Sequence, residues 1–173
     1  MLISNAPVFF ARLHPAHPNP TFNPERPTWE LQIRTYDAKQ AAEWTKAGLG
    51  VKNIMPEEGE PYWRVNLRKH SVKSDGTPAD PVKVVDGKLR PISPEVGIGN
   101  ESVANIRIYQ YEYEDKVSKK KKMGNVLMAV QLTRLIPYVP KPRDDDFAET
   151  DFVNEGADMT GGESPTPLED ADY

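Results

Sequence analysis

Tyr62-Trp63-Arg64-Val65-Asn66-Leu67-Arg68 alternates apolar and polar residues without a break. Trp63, Val65 and Leu67 fall on one face, and Tyr62, Arg64, Asn66 and Arg68 on the other. A period of two is the signature of a strand with one face buried. The same reading extends backward to Trp29–Tyr36, where Trp29, Leu31 and Ile33 alternate with Glu30, Gln32 and Arg34. An earlier strand, Val8–Leu13, is separated from it by a segment holding Pro15, Pro18, Pro20, Pro24 and Pro27. Proline fixes φ and donates no ladder hydrogen bond, so this segment is an extended loop.

Asp37 opens the one convincing helix, Ala38–Ala47. It can cap, with Gln40 three residues on completing a capping-box-like pair, and Gly48 supplies the stop. Beyond the 62–69 strand, Ser74–Pro78 is a turn, and Val82–Val85 is a short strand ending at Asp86-Gly87. Two long strands follow, Val103–Tyr113 and Val126–Tyr138, joined by a segment that ends in Lys119–Lys122. They predict a hairpin with a basic tip. Five or six strands and one short helix point to a mainly β fold, an OB-fold-like small barrel, with a β-sandwich as the alternative.

Charge divides the chain. Of its 26 acidic residues, 11 lie in 144–173, which has no Lys or Arg. The remaining 1–143 carries 22 basic against 15 acidic residues, a net of +7 beside a tail of −11. The expected organisation is one barrel domain, 1–143, followed by a disordered acidic tail, 144–173, rich in Gly, Ser, Thr and Pro. A basic body with an acidic appendage suits a polyanion-binding domain that carries its own competitor. A flexible thirty-residue chain has a root-mean-square span of about 30 Å. No cysteine is present, so a disulfide framework and a thiolate zinc site are excluded. Neither a signal peptide nor a membrane-length apolar run is found, and a soluble intracellular protein is expected.

The sequence gives catalysis little to work with. The histidines are His14, His17 and His70, the first two in the proline-rich loop, and Glu57-Glu58 has no partner acid or base nearby in sequence. Gly97-Ile98-Gly99-Asn100 lacks the lysine and setting of a phosphate-cradling loop. No cofactor and no metal site are expected. The polar strand faces say more. Tyr62, Arg64 and Arg68 share one, Arg34 and Tyr36 another, and Phe10 with Arg12 extends the set. Rings interleaved with cations are what sequence-tolerant binding of a single nucleic-acid strand requires, because bases stack while cations follow phosphates. Lys69, Arg107, Tyr109 and Lys119, Lys120, Lys121 and Lys122 complete the candidate surface. Trp29 and Trp63 are assigned to the core. The strand holding Tyr109, Tyr111 and Tyr113 reads either as an exposed stacking strip or as one in which a bulge turns Tyr111 and Tyr113 inward; the second is preferred.

These segments resemble the single-stranded-DNA-binding proteins of bacteriophage replisomes. The likeness lies in Asn23-Pro24-Glu25-Arg26-Pro27-Thr28-Trp29-Glu30, in Tyr62–Arg68 followed by Pro81-Val82-Lys83-Val84-Val85-Asp86, in Ile98–Ile106 leading to the last hairpin, and in an acidic terminus closed by an aromatic residue. The resemblance implies an OB fold that coats single-stranded DNA without sequence preference during replication, recombination and repair. It also implies a tail, here Asp170, Asp172 and Tyr173, that engages a phage DNA polymerase or helicase-primase, and an action in the cytoplasm of the infected host. Tyr173 stands where such tails commonly carry Phe. Homo-oligomerisation is left open. The rival readings are a metal-dependent nuclease and a structural or DNA-mimicking virion protein.

Overall fold

The structure, a computed structural model, describes residues 1–140. Its elements are β1 (Leu2–Arg12), β2 (Thr28–Thr35), α1 (Ala38–Lys46), β3 (Lys52–Ile54), β4 (Tyr62–His70), β5 (Lys83–Val85), β6 (Ser102–Glu114) and β7 (Lys121–Arg134). The predicted tail and its residues Asp170, Asp172 and Tyr173 lie outside the described residues.

The sheet order β3-β4-β2-β1-β6-β7-β5 closes on itself through a parallel contact of β4 with β7, at Arg68 and Val126. The result is a closed five-strand barrel of β1, β2, β4, β7 and β6, with β3 and β5 as short additions at the edges. Inward residues of every barrel strand meet in one core. Val8, Ile33, Val65, Leu67, Ile106, Leu127 and Val130 are buried there, along with Trp29. The alternation read from the sequence on β2 and β4 is therefore the barrel's inside and outside.

Several boundaries shift from expectation. β1 begins at Leu2 because Met1 already pairs, its ammonium donating to the Ile108 carbonyl and its own carbonyl accepting from the Ile108 N–H. β7 begins at Lys121 and ends at Arg134, so half the lysine run lies in the strand rather than in the turn. The short strand β3 has no alternating pattern and was not expected. Trp63 is half-buried and stands outside the core, since its neighbours across the sheet are Thr35 and Asn53 near the barrel's end. Trp44, from the buried face of α1, takes a core place instead.

At the helix start, Asp37 accepts from the Lys39 N–H at 2.9 Å, and Thr35 Oγ1 accepts from the Asp37 N–H at 3.1 Å. Thr35 thus takes the part expected of Gln40. The stop is as read: Gly48 has φ of 91°, its N–H reaches the Thr45 carbonyl, and the Leu49 N–H reaches that of Trp44. This pairing satisfies carbonyls that the helix leaves open.

Gly97-Ile98-Gly99-Asn100 also acquires a purpose. Ile98 bridges to Pro137, and a Cβ on Gly99 would lie 2.6 Å from the Ile136 carbonyl oxygen. Only glycine admits that approach of two backbones. Asn100 reaches β1, where its Oδ1 accepts from the Phe10 N–H at 2.8 Å.

Candidate nucleic-acid interface

Two adjacent residues, Phe9 and Phe10, reach the outer surface of β1 because the strand is bulged. Val8 pairs with Ile33, Phe9 with Gln32 and Arg12 with Glu30, so Phe10 and Ala11 together oppose one residue of β2. Phe10 takes a φ of 52° and is 61% exposed. Simple alternation would have turned its ring into the barrel. The bulge holds Phe9 and Phe10 side by side instead, and the Asn100 hydrogen bond fixes it. A left-handed φ on a bulky residue is a strained conformation of the kind that collects at functional sites.

The guanidinium of Arg34, on the outer face of β2, sits among these rings. Its central carbon lies 4.2 Å from the Phe9 ring centre, 4.5 Å from that of Tyr62 and 5.3 Å from that of Phe10. Arg34 Nε donates to Gln32 Oε1 at 2.6 Å, and Gln32 Nε2 donates to Asn66 Oδ1 at 2.9 Å. Tyr36 packs edge-on against Tyr62, ring centres 6.1 Å apart. Lower on the same face, Arg68 lies 4.7 Å from the exposed ring of Phe22, which the proline-rich β1–β2 loop delivers, and 3.8 Å from Glu30. The candidates Phe10, Arg34, Tyr36, Tyr62, Arg64 and Arg68 thus share one surface of β1, β2 and β4, and Arg12 joins them opposite Glu30. Lys69 does not. It pairs with Trp29 and is in phase with Val65 and Leu67, on the other face of β4.

Phe9 and Phe22 were not singled out from the sequence. The doublet Phe9-Phe10 was the available signal for the first, since two successive aromatics on a strand with inward alternation require either a buried ring or a bulge.

A second aromatic surface lies on the β6–β7 hairpin. Tyr109, Tyr111 and Tyr113 all face outward, with ring centres 6.2 Å apart between the first two and 5.9 Å between the last two. The preferred inward reading of Tyr111 and Tyr113 is corrected here. The register does shift near Arg107 and Ile108, but the extra residue is on β7, so β6 keeps its alternation. Tyr111 lies flat on its cross-strand partner Gly124, where a Cβ would be 2.3 Å from the ring. Arg107 flanks the ladder next to Leu2 at the start of β1.

At the hairpin tip Lys119 and Lys120 occupy the turn, Lys119 with φ of 58°, while Lys121 and Lys122 pair with Glu114 and Tyr113. Lys122 is held by Asp115. Its ammonium, with help from the Val117 N–H and the Ser118 hydroxyl, keeps the Asp115 carboxyl down at about 2, and the Lys122 ammonium is raised in return. Three lysines of the run therefore have no carboxylate partner among the described residues.

The proline-rich loop is pinned rather than loose. Trp29 Nε1 donates to the His14 carbonyl, and the His14 and His17 rings stand 4.5 Å apart. His14 Nδ1 accepts from the Ala16 N–H, which leaves Nε2 to donate to Glu95 at 3.3 Å. A cleft of about 720 Å³ opens beside this pair, walled by Val82, Ile92 and Ile98. Among the described residues no three His, Asp or Glu side chains converge as metal ligands would.

No protein-family model matches the chain, and no curated protein does. Solved structures match it in fold. The single-stranded DNA-binding protein from bacteriophage Enc34, in complex with ssDNA, superposes with a TM-score of 0.53 at 14% identity, over 80% of this chain and 88% of that one. A C-terminal truncation of the same phage protein gives 0.51 at 14%, over 79% and 87%. What is shared is the barrel. The single-stranded DNA-binding protein gp2.5 of bacteriophage T7 gives 0.49 at 15%, over 87% and 96%. Among the described residues no helix is long and apolar enough to cross a membrane.

Proposed function

We propose that the chain is a bacteriophage single-stranded-DNA-binding protein that coats its ligand without sequence preference and without turnover. The observation that carries this is the Arg34 guanidinium of the second barrel strand set among Phe9 and Phe10 of the first and Tyr62 of the third, on the outer face that the second and third strands share with the first. OB folds take oligonucleotides on that face and on the loops that border it. Here those loops are the β1–β2 segment bearing Phe22 and the β6–β7 turn bearing Lys119 and Lys120. Rings supply sequence-tolerant stacking, and cations follow the backbone. The Enc34 protein, solved with ssDNA, is similar in fold and supports the same assignment.

On this reading the acidic segment 144–173 competes with DNA for the basic surface. Asp170, Asp172 and Tyr173 recruit a phage polymerase or helicase-primase once DNA has displaced the segment, and the setting is replication, recombination and repair in the host cytoplasm. The support is the charge division of the chain. Titrating fluorescent oligo-dT against the full chain and against a version lacking 144–173 tests both parts. Binding by both, tighter for the truncated chain at low salt, is expected, because screening weakens the tail's own attraction. Absence of binding by either version, or cleavage of labelled DNA in Mg²⁺, contradicts the reading.

A further inference from the structure

Across the outer face of β3, β4 and β2 three cations stand directly opposite one another. Lys52 pairs with Arg64, and Arg64 pairs with Arg34. Cross-strand partners point to the same side of a sheet, with Cβ atoms about 5 Å apart, and like charges so placed destabilise it. No carboxylate lies within ion-pair distance of any of the three among the described residues, whereas Arg68, two positions along β4 from Asn66, has Glu30. The middle member is the least satisfied. Arg64 Nε is enclosed and has no hydrogen-bond partner among the described residues. Enclosed donors in native proteins are nearly always paired, and an exception calls for an explanation.

The neighbouring rows define what such an arrangement fits. On one side are the rings of Tyr62 and Tyr36, with Ile54 beyond; on the other is the hydrogen-bonded amide pair of Gln32 and Asn66. A row of cations alongside a row of rings matches a chain whose phosphates run beside its bases. We infer that Lys52, Arg64 and Arg34 form a seat for two successive backbone phosphates, held in the unliganded protein at the expense of fold stability. This deepens the ssDNA reading and rests on it for the identity of the ligand. It adds Lys52 and the edge strand β3 to the interface, and it gives Arg64 the central phosphate role. Two planar guanidinium forks and an ammonium suit phosphate oxygens in geometry as well as in charge.

The test uses the full chain with Arg64→Met and Lys52→Met, the second at an exposed edge where the fold does not depend on it. Each variant is expected to flatten the slope of log K against log salt for oligo-dT by about 0.7, a loss of about fivefold in affinity at 0.1 M salt. Arg64→Met is expected to melt no lower than wild type in chloride, since it removes a crowded charge and an unpaired donor. Pyrophosphate at constant ionic strength is the second probe. It should raise the melting temperature of wild type and leave that of Arg64→Met unmoved. Should wild type bind no oligo-dT while this pyrophosphate difference persists, the seat stands and the nucleic-acid reading falls. If oligo-dT binds, yet both variants keep the wild-type slope, the seat is overturned and the ssDNA reading survives. A lowered melting temperature for Arg64→Met, together with a wild-type slope for Lys52→Met, likewise overturns it and makes Arg64 a packing residue.

Discussion

The two aromatic surfaces of the barrel are built in opposite ways. The cluster on β1, β2 and β4 draws its rings from three strands and organises them around one guanidinium, with Phe9, Arg34 and Tyr62 all half-buried. The ladder on β6 draws Tyr109, Tyr111 and Tyr113 from a single strand, leaves all three exposed, and rests its middle ring on a glycine. The first is braced across three adjacent strands of the sheet. The second projects past the start of β1, where Met1 and Ile108 pair. From Leu2 to Phe10 the strand runs at most roughly 26 Å at about 3.3 Å per residue, which sets the Phe9–Phe10 end of the cluster apart from the ladder. At the barrel's closure, by contrast, Arg68 and Tyr109 share the partner Val126. A shaped cluster suits tight holding of a few nucleotides, and a ladder suits extension of the site along a longer strand.

Removing rings from the cluster should have the largest effect. Phe10→Ala and Tyr62→Ala should each cost about 1–3 kcal/mol of oligo-dT affinity, for short and long oligonucleotides alike. Tyr111→Ala should cost a similar amount only with long ligands. Near four nucleotides, the low end of the roughly 4–16 that OB folds cover, it should be silent; near sixteen it should not. Equal losses at both lengths would erase the distinction between the surfaces. A smaller effect is expected from Gly124→Ala, which leaves Tyr111 in place but lifts its ring. Weaker binding of long ligands with an intact tyrosine would show that the ladder's flatness matters. Asp115→Asn should act in the other direction. It frees Lys122, so the salt slope should steepen by about 0.7 and affinity at 0.1 M salt rise about fivefold.

The same carboxylate makes a prediction about acid. Its folded value of about 2 is below the ordinary 3.8, so its support of the hairpin tip is complete above about pH 4. That support falls away as the pH drops toward 2. An acid titration followed at the hairpin should show a step in wild type that is missing from Asp115→Asn.

Much of this architecture was legible from residue alternation. Strands β2 and β4 read correctly to within a residue, and with them the outward placement of Arg34, Tyr62, Arg64 and Arg68, because each strand has one buried face and a one-residue slip would bury its charges. What escaped depended on backbone irregularity or on distant partners. The bulge that exposes Phe10 relies on Asn100, ninety residues away. A bulge was expected on β6 ahead of Tyr111, whereas the one present lies opposite Arg107 and Ile108 on β7; Gly124, directly across from Tyr111, was the overlooked sign that the tyrosines stay outside. Strand β3 is too short for any period to show. Lys69 was counted in the candidate surface with Arg68, its neighbour in sequence, yet adjacent strand residues face opposite ways. Lys122 was counted as free because its partner Asp115 becomes its neighbour only when the hairpin turns.

Where the nucleic acid lies is the central claim, and cross-linking tests it most directly. A short oligonucleotide bearing a photoreactive thymine analogue would be irradiated with the full chain, and the modified peptides mapped. Adducts on Phe10, Tyr36 and Tyr62, joined by Tyr109 and Tyr111 only when the oligonucleotide is lengthened, are the expected result. Adducts confined to the β6–β7 hairpin at every length, or placed on the opposite side of the barrel, would contradict it.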